Sequence, residues 1–305
     1  MSPVVHFFIS GEALGWGVTL SLLAVLLSLH PHRVTVRFAA ALHMLGVLLF
    51  VLSSSWFGVT LHVMVIGLPA LVLVIAWSIA ARQSRVAEPR SQAACSPSGN
   101  YGYCRYALIL IAASLLAREL VRVRREAEMP SILVALATPL HVVGDSLSAA
   151  SDDGTPVWSE LFQKQSGIAV TNHARAGSTT LDALKQAEDL PPDSFVVIEI
   201  GGNDLLNGKS SEVFGEQLRD LLDRICRDGR KAVMFELPLP PFCNGFARQQ
   251  RFITSEFNVP LIPRRVLADV LAPEENTVDG LHLTATGHRA LSAILFHAWR
   301  AGTGM

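Results

Sequence analysis

The chain has 305 residues, a formal net charge of −1 at pH 7 and a charged fraction of 17%. Soluble domains carry roughly 25% charged residues, so part of this chain avoids water, and the near-neutral balance without a basic, aromatic-interleaved patch excludes a nucleic-acid partner. Four cysteines, Cys95, Cys104, Cys226 and Cys243, make neither a paired CxxC zinc pattern nor a dense disulfide framework; two bonds, Cys95 to Cys104 and Cys226 to Cys243, stand against free thiols.

Apolar residues crowd between Val4 and Ala81, whereas composition from Glu119 onward is that of an ordinary globular domain. A membrane span takes about 20 apolar residues at about 1.5 Å each to cross roughly 30 Å of hydrocarbon. Three stretches suffice: one within Val4–His30, beginning near Leu14 because Glu12 is costly at mid-depth, one from Phe38 to Trp56, and one from Phe57 to Ala80. Tyr101–Ala117, closed by Arg118, is either a fourth span or a membrane-adjacent amphipathic helix. The first stretch has no basic residues ahead of it and no small-x-small cleavage site behind it, as expected of an uncleaved span. His43 and His62 lie in the second and third spans with no carboxylate nearby, so neither a proton path nor a metal role is expected. Ser84–Gly102 reads as a polar loop, and Arg118–Glu128 as a short charged helix ended by Pro130. The expected organisation is an all-α transmembrane region over residues 1–117 with three to four spans, a linker helix over 118–130 and a soluble domain over 131–305.

From Leu140 onward β-branched runs alternate with helix-length amphipathic stretches. Strands are expected at Leu140–Val143, Ile168–Asn172, Phe195–Ile200, Lys231–Glu236 and Val259–Ile262. Helices are expected near Val157–Gln163, Thr180–Glu188, Ser211–Asp228, Gly245–Glu256 and Thr286–Trp299. Helical crossovers imply a mostly parallel sheet, and in such sheets chemistry gathers at the carboxyl ends of the strands. The first strand runs straight into Gly144-Asp145-Ser146-Leu147. Glycine there permits a tight exit, and a serine on the first turn of a following helix can offer its own N–H to an oxyanion. Taken alone, Gly-Asp-Ser is also an ordinary turn and helix cap.

Three further blocks follow in order: Asn172 through Gly177, Gly201-Gly202-Asn203-Asp204, and Asp279-Gly280-Leu281-His282. With these four blocks the sequence from Leu140 to His288 resembles the SGNH/GDSL hydrolases, and more narrowly their bacterial periplasmic thioesterase, lysophospholipase and arylesterase members. The resemblance implies a three-layer α/β/α sandwich around a mostly parallel five-stranded sheet. It implies Ser146 as nucleophile, His282 as its base and Asp279 as the residue that orients the imidazole, an arrangement that activates an otherwise poor nucleophile. The oxyanion hole would comprise the N–H groups of Ser146 and Gly177 and the side-chain amide of Asn203, with Gly144, Asp145 and Asp204 holding the loops. No cofactor and no metal are expected, since no His/Asp/Glu set repeats at ligand spacing.

The sequence departs from the family pattern in having Leu283 where many members have proline, and in Arg175, which stands either beside the pocket or free in solvent. A Gly-x-Ser-x-Gly elbow is absent, which argues against the larger α/β-hydrolase fold. His30, His32, His173 and His297 read as surface or capping residues, and His288 as structural. The run Leu237-Pro238-Leu239-Pro240-Pro241-Phe242 is apolar enough to receive a hydrocarbon chain, or else packs on its own domain.

The expected function is hydrolysis of a carboxylic ester or thioester of a lipid-like molecule through an acyl-enzyme. O-acetyl esterase or acyltransferase action on a cell-surface glycan is an alternative, and an inactive membrane scaffold is another. Membrane lipids are the expected partners, with a membrane protein as a further partner through the N-terminal helices. Arg33, Arg37, Arg82, Arg85 and Arg90 favour cytoplasmic loops and a periplasmic hydrolase at a bacterial inner membrane, while Arg118, Arg122, Arg124 and Arg125 oppose that orientation.

Overall fold

The computed structural model describes residues 3–10, 12–27, 33–53, 138–149, 154–240 and 243–303, with scattered positions between 113 and 130. The chain divides into two compact units, Glu12–Arg125 on the one hand and Met1–Gly11 with Glu126–Met305 on the other. Helix α1 (Pro3–Ile9) belongs to the second of these, whereas α2 (Glu12–Leu27) and α3 (Arg33–Ser53) form the described part of the first.

Helices α2 and α3 pack on each other through small residues. Ala24 and Ala39 are fully buried at their contact with Leu27 and Leu42 beside them, and a Cβ on Gly46 would stand 2.7 Å from the Gly17 carbonyl oxygen. Large apolar side chains face outward, among them Trp16, Leu23, Leu26, Phe38, Met44, Leu45 and Leu48. Among the described residues no helix is long and apolar enough to cross a membrane. Helix α2 stops at 16 residues, and the 21 residues of α3 include Arg33 and Arg37 in its first turns. The expected third span and most of the fourth lie outside the described residues, as does most of the 118–130 linker.

The other unit is built on five parallel strands: β1 (Leu140–Gly144), β2 (Val170–Asn172), β3 (Phe195–Glu199), β4 (Lys231–Phe235) and β5 (Leu261–Ile262), in the order β2-β1-β3-β4-β5. A parallel sheet is covered on both faces, so its central strands read as continuous apolar runs, and every residue of β1 and β3 is buried. On one face Val143, Val196, Ile198 and Met234 meet helices α5 (Thr180–Gln186), α7 (Ser211–Ile225) and α8 (Asn244–Glu256) through Ala183, Leu218, Leu222 and Phe246. On the other, Leu140, Val142, Val197, Val233 and Phe235 meet α4 (Trp158–Ser166), α9 (Arg264–Leu271) and α10 (Ala285–Thr303) through Trp158, Phe162, Leu267 and Leu295. The result is the expected α/β/α sandwich. Helix α1 lies against α9, where His6 Nε2 is 2.9 Å from Asp269 Oδ1.

Element ends differ from expectation for local reasons. Strand β2 starts at Val170 rather than Ile168 because the Ile168 N–H donates to Ser166 Oγ at 3.2 Å, finishing the exit from α4. Strand β5 omits Val259, whose N–H donates to the Thr254 carbonyl at 2.9 Å and closes α8 instead. Helices α6 (Gly202–Leu206) and α9 were not expected, and α9 shows its apolar face only through Val266, Leu267, Val270 and Leu271 in the fold. Leu237 and Leu239 are 5% and 4% exposed and point into the core, so the described part of that loop packs on its own domain; Pro241 and Phe242 lie outside the described residues. Cys226 and Cys243 are free thiols, which removes the second expected disulfide, while Cys95 and Cys104 lie outside the described residues.

Candidate functional site

Strand β1 delivers Gly144, Asp145 and Ser146 to the carboxyl edge of the sheet. A Cβ at Gly144 would stand 2.8 Å from the Glu199 carbonyl oxygen and 3.2 Å from Ser148 Cβ, so close packing against β3 demands the glycine there. Beyond it the chain makes a turn rather than the expected helix: the Ser148 and Ala149 N–H groups donate to the Asp145 carbonyl at 3.1 and 2.8 Å, and the Leu147 N–H donates to Asp145 Oδ1 at 3.2 Å. Ser146 rides half-buried on this turn. Among the described residues its N–H has no hydrogen-bond partner, and neither has that of Gly177.

Gln186, the last residue of α5, grips β1 at this edge, where β2 has already ended. Its Oε1 accepts the Gly144 N–H at 2.9 Å, and its Nε2 donates to the Gly144 carbonyl at 2.9 Å and to Ser178 Oγ at 3.0 Å. The Arg175 N–H also donates to the Gly144 carbonyl, at 3.2 Å, so the Gly177 loop is tied to the nucleophile strand. Asn203, on α6, donates from Nδ2 to the Ser178 carbonyl at 3.0 Å and to Asp145 Oδ2 at 3.3 Å. Asp204 is fully buried and accepts from Thr180 N–H and Oγ1 at 2.8 and 3.0 Å and from Lys209 Nζ at 2.8 Å, locking α5 to α6.

Asp279 and His282 stand on a hairpin-like loop closed by the bridge between Thr277 and Leu283, with Gly280 at φ 88° near its tip, a conformation that favours glycine. Asp279 Oδ1 accepts the N–H groups of Leu281 and His282 at 3.0 and 2.8 Å, and its Oδ2 faces His282 Nδ1 at 2.6 Å. The backbone N–H of His282, then its imidazole, then the Leu281 N–H hold the Asp279 carboxyl well below the usual carboxylate range. An ionised Asp279 accepts a hydrogen bond from the Nδ1–H, which leaves the lone pair on Nε2. Both side chains are about half exposed, at 50% and 54%. Among the described residues no hydrogen bond joins Ser146 Oγ to His282; the imidazole is near enough for its charge to act on Asp145. Nucleophile–base contacts of this kind often tighten only with substrate bound.

Several participants were not expected from sequence. Glu199 closes β3 and is 1% exposed, and its carboxyl is buried beside that of Asp145, itself 4% exposed. Ser148 Oγ donates to Glu199 Oε2 at 3.2 Å and accepts the Trp158 Nε1–H at 3.1 Å. Burial first, then the Asp145 charge, pushes the Glu199 carboxyl well up. His173 is no surface residue, being half-buried with Nε2 2.9 Å from His141 Nδ1, and burial lowers both imidazoles. His288 is buried as expected and accepts the Trp158 N–H at 3.4 Å, His297 is exposed, and His30 and His32 lie outside the described residues. A cavity of about 620 Å³ opens beside Gly177, with Arg175, Asp182, Lys185 and Asp189 in its polar wall. Among the described residues no three His, Cys, Asp or Glu side chains are grouped to hold a metal ion.

The family model described as GDSL-like lipase/acylhydrolase matches residues 142–290. The chain is 30% identical over 145 residues to the esterase TesA of Pseudomonas aeruginosa, covering 42% of this chain and 71% of that protein. It is 28% identical over 159 residues to thioesterase 1/protease 1/lysophospholipase L1 of Escherichia coli, covering 48% and 76%. The psychrotrophic esterase EstA from Pseudoalteromonas sp. superposes with a TM-score of 0.49 at 22% identity, over 55% of this chain and 100% of that one.

Proposed function

The chain belongs to the GDSL-like lipase/acylhydrolase family and is a serine ester hydrolase, and from that premise we propose that Ser146 attacks acyl esters or thioesters of lipid-like molecules at a membrane surface. The observation that carries the assignment of roles is the Asp279–His282 clamp, since it fixes the imidazole with its Nε2 lone pair free to accept a proton. His282 Nε2 takes the Ser146 proton as Oγ bonds to the carbonyl carbon. The N–H groups of Ser146 and Gly177 and the Asn203 amide receive the negative charge that forms on the carbonyl oxygen. Both Asn203 hydrogens are engaged in the free enzyme, so the longer bond, at 3.3 Å to Asp145, is the one exchanged for the oxyanion. Protonated His282 then gives its proton to the leaving alcohol or thiol. A water deprotonated by the same imidazole hydrolyses the acyl-enzyme.

Two observations support a lipid-like substrate and a membrane anchor. The relative in Escherichia coli is named a thioesterase and lysophospholipase. Helices α2 and α3 turn small residues toward each other and large apolar ones outward, as membrane helices do where lipid is the solvent. On this reading the protein sits in a bacterial inner membrane with its hydrolase on the periplasmic side, as Arg33, Arg37, Arg82, Arg85 and Arg90 favour against Arg118, Arg122, Arg124 and Arg125. A second reading, de-O-acetylation of a glycan, is favoured by the polar wall of the cavity beside Gly177. Product identification with a lysophospholipid, a long-chain acyl-thioester and an acetylated oligosaccharide separates them, with Ser146→Ala as the blank. Turnover of the first two by the full-length protein, abolished in Ser146→Ala, is expected. Turnover of the oligosaccharide alone would move the assignment to the second reading.

A further inference from the structure

Two carboxyl groups, on Asp145 and Glu199, are buried side by side at the edge that carries Ser146, where the Asp145 N–H donates to the Glu199 backbone carbonyl at 3.1 Å and the two side chains are 4% and 1% exposed. Neighbouring buried carboxylates repel each other, so the pair favours one proton between them. Their other partners show where it sits. Asp145 receives the Leu147 N–H on Oδ1 and the Asn203 amide on Oδ2, two donors that favour its charged form. Glu199 receives the Ser148 hydroxyl on Oε2 and, as its weakest interaction, the Asp145 N–H, which is bonded chiefly to the Glu199 backbone carbonyl at 3.1 Å. The direction of that hydroxyl is set because its oxygen already accepts from Trp158, whose indole N–H cannot accept, and Glu199 is the more deeply buried of the two carboxyls. Of the ionisable groups facing the pair, Asp204 on α6 opposes charge on Asp145 but is ion-paired to Lys209 at 2.8 Å, and His282 on the last loop favours that charge only in its protonated form.

We propose that Glu199 is a positioning residue for the esterase reaction: it keeps the proton, donates it as a hydrogen bond to Asp145, and so leaves a single negative charge behind Ser146 and Asn203. The inference rests on the roles proposed for those two residues. Its consequence runs through Asn203. In the free enzyme the Asn203 amide is held by Asp145, and it must leave that carboxylate to meet the substrate oxyanion. A carboxylate that already receives the Glu199 proton holds Asn203 less tightly and repels the oxyanion less than two ionised carboxyls would. Loss of the Glu199 proton at alkaline pH puts a second charge there. It thereby lowers kcat while leaving ground-state binding of a neutral ester nearly unchanged.

The test uses the full-length protein, a short p-nitrophenyl ester, and the variants Glu199→Gln, Glu199→Ala and Ser146→Ala. Glutamine keeps a donor toward Asp145 but cannot ionise. It is expected to stay within about threefold of the wild-type kcat at neutral pH and to lose the alkaline fall in kcat, whereas alanine lowers kcat about 10- to 100-fold with KM within about twofold. Infrared difference spectra at neutral pH should contain the C=O band of a buried protonated carboxylic acid in the wild type and lack it in Glu199→Gln. If alanine prevents folding, the glutamine profile and the infrared band decide alone. A glutamine variant with the wild-type alkaline limb, or a wild-type spectrum without that band, overturns the role of Glu199. Retained hydrolysis in Ser146→Ala overturns the site assignment and this inference with it, whereas an inactive Ser146→Ala beside an unaltered Glu199→Gln profile sinks only the latter.

Discussion

Glu199 lets the sign of a pH effect on stability be worked out. Its folded-state carboxyl is raised above the unfolded value, by burial first and the Asp145 charge second. Stability from such a group is fully present below the unfolded glutamate pKa and is lost as pH rises toward the folded pKa, at about 1.4 kcal/mol per pH unit. Glutamine does not titrate. The melting temperature of Glu199→Gln should therefore gain on the wild type as pH rises above the ordinary glutamate range, as differential scanning calorimetry can follow. Parallel curves would show that Glu199 is ionised in the fold. At this scale the sequence pointed to candidate groups through short blocks, Ser146, Gly177, Asn203, Asp279 and His282 with Gly144, Asp145 and Asp204 beside them, and left other buried partners unmarked. Glu199 reads as the last residue of an apolar strand, and Gln186 as one more polar residue on a helix, because each finds its partners in segments remote along the chain.

The elements gather the site by side-chain bonds across the carboxyl edge of the sheet. Beyond the end of β2, the last residue of β1 has no strand neighbour on that side, and Gln186 takes the neighbour's place with one donor and one acceptor. Replacing it by leucine leaves the buried Gly144 N–H unpaired, which costs about 1–3 kcal/mol and should lower the melting temperature by roughly 2–10 °C in a domain of this size. Thermal unfolding followed by circular dichroism checks the figure, and an unchanged melting temperature would show that water or a shifted backbone takes over. Most strands and helices were legible from their periodicity. Their ends were not, since Ile168 and Val259 are strand-like residues used to close helices. Helix α6 was hidden for a related reason: it begins inside the Gly-Gly-Asn-Asp block, where the glycines signal a turn.

For the molecule as a whole, the chain divides into Glu12–Arg125 and a second unit of Met1–Gly11 with Glu126–Met305. The membrane assignment was drawn from long apolar runs, and the described helices α2 and α3 cover only part of them. Alkaline phosphatase fused after residue 130 should be active, and a cytoplasmic reporter at the same point inactive; the reverse pattern would put the hydrolase in the cytoplasm. The short helix α1 adds a constraint of a different kind. It stands at the head of the first apolar run, ahead of Leu14, yet it rests on α9 through His6 and Asp269, inside the same unit as the hydrolase. A chain that threads a bilayer and comes back to touch its own beginning has crossed an even number of times. On the proposed membrane anchoring, two crossings or four satisfy that parity and three do not, and a reporter placed ahead of α1 is expected to report the same side as one placed after residue 130.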